Sequence, residues 1–249
     1  MSSDGNCAAL VPKFSEDVRG RLHSVVDDLN GWESGLTDYE THFREEFEPK
    51  CDPHDPALSL KEKVELVALS ALAQARQLAW AIVHATNSNS TPSLFLAARA
   101  HFEVTGFLAY LCWRLRQRDA EILSASDLEG FVARLLLGRR HGMETVPKEF
   151  AEDAKWIGVL DMIDAVDKIE NDPRLKGMFR DSYEWLSEFC HPNSFSRFST
   201  QTLQGGVMRF GRLPRVEPRD SIAVGYARIS HIVFFRTYEE ILVWTKKEK

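Results

Sequence analysis

The sequence predicts an all-α protein, a helical bundle of six to seven helices with one short irregular or β-hairpin excursion near residues 196–216. Three observations carry this expectation. Apolar residues recur at three- and four-residue intervals along most of the 249 residues. Capping patterns stand in front of the apolar runs. Turn-forming residues gather chiefly in two stretches, 49–56 and 194–218.

Taken in order, residues 1–14 are small and polar and read as a loose arm. Helical spacing then runs over 15–47 through Val18, Leu22, Val25, Val26, Leu29 and Trp32, with expected interruptions near Gly31 and Gly35. Pro49, Pro53 and Pro56 rule out a regular element over 49–56. The chain therefore divides into an N-terminal helical arm and Pro-rich linker, 1–56, and a main bundle, 57–249.

Ser59 and Glu62 form a capping box that opens a helix to about residue 85. Thr91 and Pro92 read as N-cap and first helical residue of the next, which runs to about 118. Ser126 and Glu129 make a second capping box for a helix ending near Gly138. Residues 148–170 form an amphipathic helix through Trp156, Val159, Leu160, Ile163 and Val166. Asp172 and Pro173 start another, which stops at His191 because Pro192 disfavours helical geometry in the residue before it. Gly206 to Leu213 suits a short strand or hairpin, and helical spacing returns over 220–246 through Ile222, Tyr226, Ile229, Val233, Ile241 and Trp244.

With 31 basic and 37 acidic residues the net charge is -6, so nothing draws the whole chain toward nucleic acid or an anionic membrane. The apolar stretch 94–112 is broken by Arg99, His101 and Glu103, so no membrane span is expected. The first fifteen residues lack the pattern of a signal peptide. Cys7, Cys51, Cys112 and Cys190 stand singly, without disulfide or metal spacing. A cytoplasmic protein with reduced thiols, no metal and no cofactor is expected.

Two polar groups sit where apolar residues would be expected. On the helix over 94–113, the formal charges are Arg99 and Glu103, one turn apart on a stripe with Gly106 and Tyr110. The pair is expected to be largely buried, and burying charge costs several kcal/mol unless it is paired and hydrogen-bonded. A structural polar network and a functional site would each offset that cost, and Gly106 would let a backbone or ligand come close. The second group is Tyr183, Ser187 and His191, spaced four apart beside the apolar face of Leu175, Phe179, Leu186 and Phe189. His191 is a candidate general acid or base, but no nucleophile elbow or triad accompanies it. Trp156, Trp185, Phe179 and Phe189 read as core, and Arg139, Arg140 and His141 as a solvated loop.

The segments RAHFE, at residues 99–103, and YEWLSEFCHPN, at 183–193, together resemble a family of mostly bacterial helical proteins of uncharacterised function. Members carry an Arg-x-x-x-Glu helix and a later Tyr-x-x-x-Ser-x-x-x-His-Pro segment, and the family is distantly similar to HEPN bundles. The resemblance covers roughly residues 60–240. It implies a stress or phage-defence factor acting on RNA, with Arg99, Glu103, Tyr183, Ser187 and His191 as site residues. As a metal-independent RNase, His191 would be general acid or base, Arg99 would steady a phosphate or hold Glu103, and the RNA 2′-hydroxyl would attack. HEPN nucleases place four to six residues between an Arg and the His that follows it. No Arg stands so before His191, whereas Arg134 and His141 have that spacing. The alternative is a non-catalytic binding or assembly module whose polar cluster is a structural lock. RNA or a protein is the expected partner, with a homodimer the expected form of self-association.

Overall fold

The computed structural model describes residues 11–44, 46–47, 58–137, 157–173, 175–191, 201–204, 207–210 and 217–247. It is an all-α bundle. Among the described residues there are eight α-helices: α1 (Glu16–Arg21), α2 (Val26–His42), α3 (Leu60–Asn87), α4 (Thr91–Asp119), α5 (Ala125–Leu137), α6 (Val159–Ile169), α7 (Met178–Cys190) and α8 (Glu217–Lys247). A 3-10 turn, His23–Val25, separates α1 from α2, so the segment read as one helix over 15–47 is two. Strands β1 (Gln201–Gln204) and β2 (Val207–Phe210) pair antiparallel, Gln201 opposite Phe210 and Gln204 opposite Val207.

Helix α4 is the axis of the bundle, packed against α3, α5, α6, α7 and α8. Its buried residues point to all sides, among them Phe95, Ala98, Phe102, Leu108 and Leu111. That explains why its sequence is apolar around nearly its whole circumference. The neighbouring α3 has one 18-residue window of mean hydropathy 1.4, 44% of it buried inside the bundle. By length and composition alone that window would reach across a bilayer.

The expected breaks at Gly31 and Gly35 do not occur: α2 runs straight through both. The glycines are there for α8. A Cβ on Gly35 would lie 2.1 Å from His231 Nε2, and one on Gly31 would lie 2.8 Å from Arg228 Nε. Two missing side chains thus let two helices meet closely enough to seal Trp32, Leu36 and Tyr39 completely. Residues 14–39 belong to the same hydrophobic core as the rest, beginning with Phe14 and Val18. Arg76 of α3 ties α2 down further, with two bonds of 2.8 Å to Glu40 and its guanidinium 4.5 Å from the rings of Phe43 and Trp80.

Helix starts follow local chemistry, sometimes at other residues than the sequence patterns suggested. The Ser59/Glu62 capping box forms as read. At α5 the cap is Ser124, whose Oγ accepts from Asp127 N at 3.1 Å, while Glu129 pairs with Lys63 at 2.6 Å. At α4 the N-cap is Ser90, and Thr91 spends its hydroxyl on Asp220 of α8 at 3.0 Å. Helix α7 begins at Met178 rather than Asp172, because Gly177 takes φ of 79° and redirects the chain. It ends at Cys190 with His191 extended, as the following proline requires. Residues 148–156, with Trp156, lie outside the described residues, as do the 49–56 linker and Arg139, Arg140 and His141. Phe179 and Phe189 are core, and Trp185 packs half-buried against Phe189 and Phe95.

Candidate functional site

Arg99 and Glu103 lie one turn apart on α4, and α7 brings Tyr183 onto both. Arg99 Nη2 donates to the Tyr183 hydroxyl at 3.1 Å and pairs with Glu103 Oε1 at 3.0 Å. The Tyr183 hydroxyl in turn donates to Glu103 Oε1 at 2.9 Å. The three groups close a triangle across two helices. Phe102 against Phe179 (4.4 Å between ring centres) and Phe95 against Phe189 (4.4 Å) hold α4 and α7 together on either side of it.

The pair is less buried than expected. The side chains of Arg99 and Glu103 keep 26% and 36% of their surface. The reason is a cleft of about 510 Å³ between α3, α4 and the start of α6, which both residues line. Ser70 and Gln74, four apart on α3, stand exposed on its opposite side. Phe107, Val104 and Met162 give it apolar walls. Helix α6 reaches this position because α4 has no side chain at Gly106, where a Cβ would lie 3.0 Å from the Met162 carbonyl oxygen.

Electrostatically the triangle is self-consistent. Burial works against the Arg99 charge, yet the Tyr183 hydrogen bond and the Glu103 carboxylate outweigh it, and its pKa is raised. The Tyr183 phenol is also pushed up, first by burial, with Glu103 adding to it and Arg99 opposing. The thiol of Cys190 is within reach of the Arg99 guanidinium, and burial raises its pKa in spite of that cation. Arg99 Nε is buried without a hydrogen-bond partner among the described residues.

Of the five residues singled out in the sequence, three therefore converge. Ser187 does not: its hydroxyl donates to the Tyr183 carbonyl at 2.8 Å, one turn back on its own helix. Its four-residue spacing from Tyr183 reflects backbone bonding. His191 sits exposed at the C-cap of α7, next in the chain to Cys190.

A second polar cluster was not anticipated. His101 is fully buried on the opposite side of α4. Its Nε2 lies 2.6 Å from the Tyr39 hydroxyl and its Nδ1 2.9 Å from Ser230 Oγ, while His231 Nδ1 lies 3.3 Å from the same Tyr39 hydroxyl. A neutral imidazole, with one nitrogen donating and the other accepting, satisfies both His101 contacts. Trp32 presses edgewise on both histidines. No known protein family, curated protein or solved structure matches this chain.

Proposed function

We propose that this protein is a ligand-binding helical module, whose site is the α3–α4–α6 cleft and whose recognition groups are Arg99 and Glu103, held in place by Tyr183. The observation that carries this reading is the position of the charged pair. A lock would spend both charges in a sealed core, whereas here both line an open cleft of about 510 Å³, a size common among small-molecule sites. Tyr183 restrains both partners from α7 without itself lining the cleft, so the recognition groups are fixed before a ligand arrives. The test is a set of melting curves with compounds of different chemical classes, on the wild type and on Ala100→Trp, which places an indole in the cleft. At least one class is expected to raise the melting temperature of the wild type and not of the variant. Identical responses of the two proteins to every class would remove the cleft as the site.

A second reading keeps the HEPN-like resemblance and RNA as substrate. Its support is the exposed position of His191, beside a cysteine whose thiol reaches Arg99. In it, His191 exchanges a proton with the 2′-hydroxyl or the leaving oxygen, and Arg99 steadies the phosphate. The neutral Arg99–Glu103 pair and the net charge of -6 favour the first reading.

A further inference from the structure

The charge arrangement of the cleft narrows the ligand class, on the reading that the cleft is a binding site. Arg99 commits Nη2 to Glu103 and Tyr183, and of its other guanidinium donors the Cys190 thiol can occupy one, which leaves further N–H groups for a ligand. Glu103 commits Oε1 to the same two partners, and no hydrogen bond occupies its Oε2 among the described residues. The site thus offers a spare cationic donor and a spare anionic acceptor side by side, with no net charge. A simple anion attracted by Arg99 meets Glu103, and a simple cation attracted by Glu103 meets Arg99. A ligand carrying a carboxylate and an ammonium on one carbon satisfies both at once. Behind the pair, Val104, Phe107 and Met162 offer an apolar wall to whatever side chain that carbon bears. Across the cleft, the Ser70 hydroxyl and Gln74 amide form no hydrogen bonds among the described residues and can take a second carboxylate oxygen.

We propose that the cleft binds a free apolar α-amino acid, its carboxylate on Arg99, its ammonium on Glu103 and its side chain against Phe107 and Met162. The same geometry disfavours a nucleotide phosphate, which has no ammonium to meet Glu103.

Calorimetric titration with valine, leucine, isoleucine, methionine and phenylalanine tests this. Leucinol and 4-methylpentanoate serve as controls, each lacking one of the two charged groups, and AMP and GMP represent the nucleotide class. At least one of the amino acids should bind the wild type. Leucinol and 4-methylpentanoate should each bind roughly 10- to 100-fold more weakly than leucine, the weight of one charge-assisted hydrogen bond. Arg99→Lys and Glu103→Gln, both checked for an unchanged fold by melting, should weaken amino-acid binding comparably. Equal binding of leucine and 4-methylpentanoate would overturn the zwitterion assignment, as would failure of all five amino acids. If a nucleotide bound instead and lost its binding in Ala100→Trp, the cleft would stand as a site with the wrong ligand class. If no compound distinguished Ala100→Trp from the wild type, both this inference and the binding reading would fall.

Discussion

The hydroxyl of Tyr183 lies 2.9 Å from Glu103 Oε1, joining residues 80 positions apart and fastening α7 to the central helix. Because Arg99 shares both partners, the three side chains should behave energetically as a unit. In a double-mutant cycle, Tyr183→Phe and Glu103→Gln are expected to couple by about 0.5–1.5 kcal/mol in urea unfolding. Single removal of Arg99 should cost less than the roughly 3–5 kcal/mol of a sealed ion pair, because water reaches both side chains. A coupling near zero would show that the triangle does not hold in solution.

The buried histidines should make the fold sensitive to acid. Burial lowers the His101 pKa to about 3, and burial with His101 and Arg228 nearby lowers His231 to about 3. Below pH 6.5 the unfolded chain protonates both while the folded chain does not, so their contribution is fully present above about 6.5 and is lost as pH falls toward 3. Stability should drop by roughly 1.4 kcal/mol per pH unit for each histidine across that window. Urea midpoints at pH 7.5 and 5.0 measure it. His101→Gln should flatten the slope, and an equally steep slope in that variant would place the acid sensitivity elsewhere.

Two glycine-to-alanine substitutions should act with opposite sign. At Gly20 of α1, a Cβ meets nothing within 4 Å, so Ala should stabilise by about 0.5–1 kcal/mol. At Gly35, the Cβ would fall on His231, and Ala should destabilise by at least about 1–3 kcal/mol despite its better helix propensity. Melting temperatures of the two variants check this directly, and a neutral Gly35→Ala would mean that α2 and α8 lie farther apart.

The RNase reading makes its own prediction. Cleavage should proceed with chelator present and leave a cyclic phosphate end, since the 2′-hydroxyl attacks the adjacent phosphorus. His191→Ala should lose about 10²–10⁴-fold of that activity with an unchanged melting temperature, because the exposed ring carries no core packing. Intact RNA after incubation with the wild type, or full activity in the variant, removes His191 as catalyst.

What was legible in the sequence, and what was not, follows from the range of the interactions. The Ser59/Glu62 box and the stop at His191 depend on neighbours within four residues, and both could be read directly. Glycines 31 and 35 looked like breaks because their cost to a helix is local, whereas the residues they accommodate lie on α8. His101 looked like an interruption of an apolar run, its partners being 62 and 129 positions away. At the site, the four-residue spacing of Arg99 and Glu103 was visible, and so was Tyr183 as an out-of-place polar residue. That spacing also drew in Ser187, whose hydroxyl turned out to bond its own backbone. The cleft itself had no local signature beyond Ser70 and Gln74 on an Ala- and Leu-rich helix, since it exists only where three helices meet.

The most direct measurement of the central claim follows the Arg99 Nε–Hε resonance, assigned by its loss in Arg99→Lys, while amino acids, nucleotides and simple carboxylates are added in turn. The account predicts a saturable shift of this signal with at least one of these classes, absent in Ala100→Trp. A signal that stays fixed throughout, in a protein whose Tyr183→Phe variant is measurably destabilised, would contradict it and return Arg99 and Glu103 to a purely structural role.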